Sequence, residues 1–295
     1  MPISKLARFI KFKAIIANRN ARYALLKLKE RSGYLVKTVQ GSKMKLDLND
    51  KGISKDLAVD GTREPESTNA IQNFIREGDV VVDIGANLGY YALLESRIVG
   101  GSGIVYAIEP SPDNIDALKE NIKLNGYTNI ECFTIGIGDK EEIAKMFMSP
   151  HSNLNSLVIQ KNKKTIGNID IQITTLDNFL KGKKQPDFIR MDVEGYEYNI
   201  IKGMKGLLNS KKPLKIFMEL HPHIMEKDKT IFVLKSLMES GFEIKKATRC
   251  FTVPEMKVKG KAEYDYSAKS IKDFLNDESI LTGKKGAFEI FFERK

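Results

Sequence analysis

The sequence predicts an α/β protein built on a mostly parallel sheet with helices on both faces. From Asp79 onward, short apolar runs alternate with helical segments, which is the pattern of βαβ units. The first of these runs enters a glycine-rich turn that opens a helix, as in sheets that bind ligands outside the carboxyl ends of their strands. Composition agrees: 295 residues, 42% hydrophobic and 29% charged, describe a globular chain with a sizeable core.

Residues 1–60 read as a basic extension of helix and hairpin. Good helix formers run from residue 3 to residue 30 without Gly or Pro, so a helix or helix pair is expected, with a break near Asn18 and Asn20. At about 100° per residue, Ile3, Leu6, Phe9, Ile10 and Ile16 share one broad face. Lys5, Arg8 and Lys11 oppose it, while Lys13 and Ile15 blur the separation. Tyr34–Val39 and Lys43–Leu48 alternate around Gln40-Gly41-Ser42, which reads as a hairpin.

Residues 61–295 read as the ligand-binding domain. Strands are expected at Val80–Ile84, Ile104–Ile108, Ile130–Ile135, Asp187–Asp192 and Leu214–Glu219, with helices near 88–99, 111–125, 195–209 and 227–240. Phe242–Ala247 and Ala287–Phe292 should form an antiparallel pair at one edge, enclosing a polar insertion at 250–286. A hairpin insertion at 140–175, with strands Lys145–Ser149 and Asp170–Thr174, interrupts the alternation.

The formal charge of +10 invites nucleic acid or an anionic membrane as a partner. Its distribution changes that inference, because residues 1–50 hold 12 Lys and Arg against 3 Asp and Glu. The remaining body is nearly neutral. No apolar run approaches the roughly 20 residues of a membrane span, and none ends in a signal-cleavage pattern. Cys132 and Cys250 form no CxxC pair, which argues against a disulfide scaffold or a cysteine zinc site. A reducing, cytoplasmic setting is expected, with residues 1–30 as a candidate peripheral contact to the inner membrane face.

The chemistry concentrates at strand ends. Asp83-Ile84-Gly85-Ala86-Asn87-Leu88-Gly89 lets backbone approach a ligand at Gly85 and Gly89, and Asn87 tolerates the left-handed conformation. The spacing is not the dinucleotide GxGxxG, and the strand-end acid Asp83 suits a cationic ligand such as the amino acid part of S-adenosylmethionine. Glu109, ending the second strand, can accept from both ribose hydroxyls of a nucleoside or can simply cap the following helix. Asp139, after the third, could reach an adenine amino group or be a plain turn acid. Asp192, Glu194, Glu219 and His221 should converge on the same mouth. Asn153, Asn155 and Ser156 could overhang it, while His151, His223, Tyr264 and Tyr266 read as loop or packing residues.

The run DIGANLGYY, Glu109-Pro110, Thr175-Leu176-Asp177, Met191 to Glu197 and Glu219-Leu220-His221-Pro222 resembles the FkbM family of class I S-adenosylmethionine-dependent methyltransferases over about residues 60–225. The resemblance implies a seven-stranded sheet of order 3-2-1-4-5-7-6 and O-methylation, often of sugar hydroxyls. A carbohydrate or glycoconjugate acceptor is expected, and RNA or another nucleic acid is the alternative. Asp192, then His221, then Glu194 are the candidates to remove the hydroxyl proton. A divalent metal on Asp192, Glu219 and His221 is the less favoured means of activating it.

Overall fold

The computed structural model describes residues 5–50, 52–159 and 164–295. The chain opens with α1 (Lys5–Lys29), hairpin strands β1 (Tyr34–Val39) and β2 (Ser42–Asp47), and helices α2 (Ile53–Asp60) and α3 (Pro65–Phe74). Then come β3 (Val80–Ile84), α4 (Tyr90–Val99), β4 (Ile104–Ile108), α5 (Pro112–Asn125) and β5 (Ile130–Phe133). A small sheet follows from β6 (Gly136–Gly138), β7 (Glu142–Met148) and β8 (Gly167–Thr175). After α6 (Leu176–Phe179) the main sheet resumes with β9 (Phe188–Met191), α7 (Glu197–Lys202), α8 (Lys205–Asn209), β10 (Leu214–Leu220), α9 (Pro222–Met225), α10 (Lys227–Glu239) and β11 (Glu243–Arg249). The short helices α11 (Val253–Met256), α12 (Lys261–Tyr264), α13 (Ile271–Leu275) and α14 (Glu278–Leu281) lead to β12 (Phe288–Arg294).

The main sheet has the order β11-β12-β10-β9-β3-β4-β5. Counting its strands along the chain gives 3-2-1-4-5-7-6, the order that the family resemblance implies. β3, β4, β5, β9 and β10 are parallel, and β12 runs antiparallel between β10 and the edge strand β11. The order reverses between β3 and β9, so the crevice for a ligand opens where Asp83, Glu109 and Asp192 end their strands.

Both sheet faces are covered. Val82, Ile84, Ile189, Met191, Ile216 and Met218 face α7, α8, α10, α13 and α14. Val81, Val105, Phe188, Phe217 and Phe291 face α2, α3, α4 and α5. The hairpin belongs to that second layer: Val39, Met44, Leu46 and Leu48 are buried in the same cluster. Its turn is the two-residue Gln40-Gly41, both at positive φ, which twists the strands correctly for a tight hairpin.

Three local expectations change. α1 is one continuous helix through Asn18 and Asn20, because Arg19, Arg22 and Tyr23 tie it to the body and override weak propensity. Its apolar residues divide between two faces: Ile15 and Ile16 are half-buried while Leu6, Phe9 and Ile10 are exposed. Ile3 lies outside the described residues. The helix expected over 195–209 splits into α7 and α8 at Gly203, where a Cβ would meet the Gly138 carbonyl oxygen at 1.9 Å. The segment at 136–138 is a strand pairing parallel with β8 rather than a loop.

Candidate active site

β3 delivers its backbone into a turn that only particular residues can make. Gly85, Asn87 and Gly89 all have positive φ, the region expected from their types. A Cβ on Gly85 would stand 2.0 Å from the Asp192 carbonyl oxygen, so β3 and β9 can approach here only through glycine. Gly89 has a second constraint, since its Cβ would lie 2.4 Å from Leu118 Cδ1 on α5.

This turn forms the floor of a cleft. Ile84, Ile108, Ile135, Ile137, Met146 and Leu157 make it largely apolar. Glu109 lies on one wall, with Asp192 and Glu194 on the other. Asn153, Asn155 and Ser156 from the β7–β8 connection overhang it, and Ser156 Oγ donates to the Glu194 carbonyl at 2.9 Å. Glu194 sits at φ +50 immediately before Gly195 at φ +100, which turns the chain back at this wall.

Glu109 is built for its position. Its Oε2 accepts from Asn87 N at 2.9 Å, and its Oε1 accepts from Ser111 N at 2.9 Å. Burial nonetheless pushes its pKa up to about 7, with Asp83 contributing in the same direction against those hydrogen bonds. Its carboxylate edge can receive the two hydroxyls of a ribose.

Two expected cofactor contacts have other partners. Asp83 is fully buried and lies outside the cleft lining, with Oδ1 accepting from Arg190 Nη1 at 3.0 Å. Arg190 is the cation that the strand-end acid meets. It also donates Nη2 to Asp192 Oδ2 at 2.9 Å and stacks 4.0 Å above the Tyr91 ring. Asp83 therefore sets the position of β9 from behind the turn. Asp139 is likewise absent from the lining, because Lys202 Nζ at 2.7 Å and Asn199 Nδ2 at 3.0 Å hold it at the start of the small sheet. Despite partial burial these partners keep its pKa below the usual value.

Deeper along β9 and β10 lies a cluster of charged groups. Asp192 is within hydrogen-bonding reach of Glu219, and His221 Nε2 lies 3.3 Å from Glu219 Oε1. Behind His221, the buried Glu197 places Oε1 2.6 Å from Nδ1, which fixes the ring. Glu197 stands in the first turn of α7. Cys250 Sγ, from the loop after β11, approaches Glu219 Oε1 at 3.3 Å.

The members of this cluster differ in charge. Burial raises the Asp192 pKa, but Arg190, Arg63 and His221 outweigh it and hold the group below the ordinary carboxylate value. Burial lowers the His221 pKa, and Glu197 and Glu219 overcome that and raise it well above the usual value. Glu219 is pushed up to about 7 by burial and by the Asp192 charge. Asp192 and His221, the sequence candidates for taking a proton, thus sit as anion and cation. Glu219 is the group poised near neutrality.

Asp192, Glu219 and His221 offer ligand atoms within 4.8 Å of one another, a donor set that a divalent cation could use. Arg190 already engages one Asp192 oxygen, and Arg63 faces Asp192 and Glu219. The negative charge is met by guanidinium groups, which favours a proton-holding cluster over a metal centre.

On the far side of Glu219 a second cavity of about 160 Å³ opens. Asp56, Arg63, Glu64, Glu219, Phe251 and Glu255 contribute to its wall. Arg63 and Glu64 precede α3 and are paired with each other, and Glu64 Oε2 accepts from Tyr91 OH at 2.8 Å. The 250–286 insertion supplies Phe251 and Glu255, while Tyr266 packs against Phe274 and Phe288 as expected of a core aromatic.

The chain is similar to known proteins. The family model for the methyltransferase FkbM domain matches residues 83–244, more than half of the chain. Hexuronic acid methyltransferase AglP of Haloferax volcanii is 27% identical over 175 residues, spanning 59% of this chain and 68% of AglP. A protein-L-isoaspartate O-methyltransferase of Methanococcus aeolicus is 27% identical over 143 residues, spanning 46% of this chain and 65% of that protein. These relatives are matched over about two thirds of their length. Among solved structures, Aeropyrum pernix fibrillarin with natively bound S-adenosyl-L-methionine is 12% identical with a TM-score of 0.43, covering 77% of this chain and 74% of that one. The sheet order, the glycine turn with its strand-end acids and the domain match lead to one conclusion: the chain belongs to the FkbM family of methyltransferases and is an S-adenosylmethionine-dependent enzyme.

Proposed function

We propose that this enzyme O-methylates a hydroxyl of a sugar, glycan or glycoconjugate, with Glu219 receiving the hydroxyl proton. The observation that carries the reading is the placement of Glu219. It lines the second cavity, touches Asp192 on the cofactor wall, and has a pKa of about 7.

The residues lining the cleft suit the chemistry of the cofactor. Glu109 would hold the ribose, Ile108, Ile135 and Ile137 the adenine, and Asp192 and Glu194 the cationic amino acid end. When bound, S-adenosylmethionine supplies an electrophilic methyl on a sulfonium for in-line transfer to the acceptor oxygen. The protein must hold that oxygen in line and take its proton. Glu219 can accept the proton as the oxygen gains its carbon bond, and the charges of His221 and Arg63 stabilise the cluster around it.

The acceptor cavity favours a polyol. Asp56, Glu64, Glu219 and Glu255 can accept from several hydroxyls, and Phe251 offers an apolar face. The same carboxylates would repel phosphates, which weighs against nucleic acid. The sugar acceptor named for AglP supports this class. A screen that follows labelled methyl from S-adenosylmethionine into glycans, glycolipids and RNA tests the proposal. Label in a carbohydrate hydroxyl is expected, and label confined to RNA would overturn it.

Two properties of the cofactor site follow. Gly85→Ala should weaken S-adenosylmethionine binding by roughly 100-fold, because relieving the clash with the Asp192 carbonyl moves the turn by an ångström or more. Calorimetric titration of folded variant and wild type measures it. The second concerns pH. Glu109 binds hydroxyl donors best when ionised, and its free-state pKa is about 7. Cofactor binding must therefore release a proton below that pH, and affinity should fall by up to about ten-fold per unit as pH drops beneath 7. Glu109→Gln should flatten that slope.

A further inference from the structure

We propose that the outward face of α1 lies on an anionic lipid surface. α1 has no Asp or Glu along its 25 residues, and no buried residue. It divides its side chains between two jobs. On the inner side Arg8 pairs with Glu263 at 2.7 Å, Arg19 with Asp56 and Asp60 at 2.6 Å each, and Tyr23 OH donates to the Leu48 carbonyl at 2.7 Å. These contacts fix the helix against the body and determine which face points away.

The face pointing away is apolar. Leu6, Ile10, Ala14, Ala17, Ala21 and Leu28 are all exposed, and they fall within about 100° of arc on a helical projection. Leu6 is 68% exposed, Ile10 59% and Leu28 76%. The stripe runs nearly the full length of the helix, about 37 Å. Lys13 borders it on one edge, and Lys11 and Lys29 on the other; all three are exposed. An apolar stripe flanked by lysines is the pattern of a helix lying in a membrane interface. No helix among the described residues is long and apolar enough to cross a bilayer, so this one would lie flat.

Charge identifies the occupant. A second copy would bring two lysine-bordered stripes together without an acid to compensate, whereas anionic headgroups neutralise both borders while acyl chains receive the leucines. A nucleic acid would use the lysines and leave the apolar stripe in water. The position also has a consequence that rests on the acceptor reading above. α11 contacts α1 and contributes Val253 and Glu255 to the second cavity, and Asp56, held by Arg19, lines it too. A lipid-bound helix would place the acceptor cavity beside the membrane, suiting a lipid-linked glycan.

The test uses the full chain in co-sedimentation with vesicles of phosphatidylcholine alone, or of equal parts phosphatidylcholine and phosphatidylglycerol. Binding is expected only to the anionic vesicles, weakening as salt rises. Leu6→Glu, Ile10→Glu and Leu28→Glu together should reduce the bound fraction at least about ten-fold, and Lys11→Glu with Lys13→Glu should do the same. These side chains are exposed, so unchanged S-adenosylmethionine binding verifies that the variants are folded. Three results would overturn the proposal: sedimentation independent of lipid charge, a dimer in sedimentation equilibrium that the leucine variants dissociate without lipid binding, or RNA binding that needs the lysines and ignores the leucines. Vesicle binding and methyl transfer are measured separately, so failure of one leaves the other standing.

Discussion

Glu219→Gln is expected to slow methyl transfer by roughly 10²–10⁴-fold, the usual contribution of a positioned proton acceptor. Cofactor affinity should be unchanged, because Glu219 lies outside the cleft lining. The amide keeps the size and one acceptor but cannot take a proton. The surroundings explain the choice of residue. Asp192 and His221 face Glu219 from its own end of the sheet, Arg63 and Glu64 from the segment before α3, Cys250 from the loop after β11, and Glu289 from β12. Burial raises Glu289 well above the ordinary carboxylate value, with Glu64 and Glu219 adding to it, so it competes poorly for the ionised state. A fall in turnover with intact cofactor titration would distinguish loss of the proton acceptor from damage to the fold.

Arg190→Met should be the most destabilising single change in the site, costing about 3–5 kcal/mol, because it leaves two carboxylates without the cation they share. Asp83 is completely buried and Arg190 nearly so, and one guanidinium spans Asp83 on β3 and Asp192 after β9. Burial opposes the Arg190 charge, and the two acids more than restore it, raising its pKa. The loss would approach half of a typical domain's stability. Its pH dependence has a definite sign. Asp192 is depressed in the native protein, so its contribution is present at neutral pH and is lost as pH falls through the native value. The gap between variant and wild type should be widest near neutrality and should narrow in acid, where both carboxylates can be protonated. Chemical denaturation at the two conditions measures it.

The sheet was legible because its signals are local. Val80 to Val82 is an apolar run just before Asp83 and the glycine turn, and parallel strands buried on both faces read this way. Glu109 and the Asn153 to Ser156 overhang lie where their strand and hairpin put them. The pairings that the structure adds depend on partners distant in sequence. Asp83 meets Arg190 from the neighbouring strand β9, and Asp139 meets Lys202 on α7. Glu197 meets His221, 24 positions further along the chain. The ranking of Asp192 and His221 above Glu219 was a reading of residue type. Which of the three can take a proton is decided by Arg190, Arg63 and Glu197, and none of those pairings has a sequence spacing that would reveal it.

The pH dependence of kcat/KM for an acceptor that the enzyme methylates, measured for wild type and Glu219→Gln with S-adenosylmethionine saturating at every pH, tests the central claim most directly. With Glu219 as the proposed proton acceptor its deprotonated form would be the active one, so the wild-type rate should rise through a midpoint near pH 7, and the residual rate of the variant should lack that limb. A limb of the same midpoint in both proteins would contradict the assignment of Glu219 as the group that receives the proton.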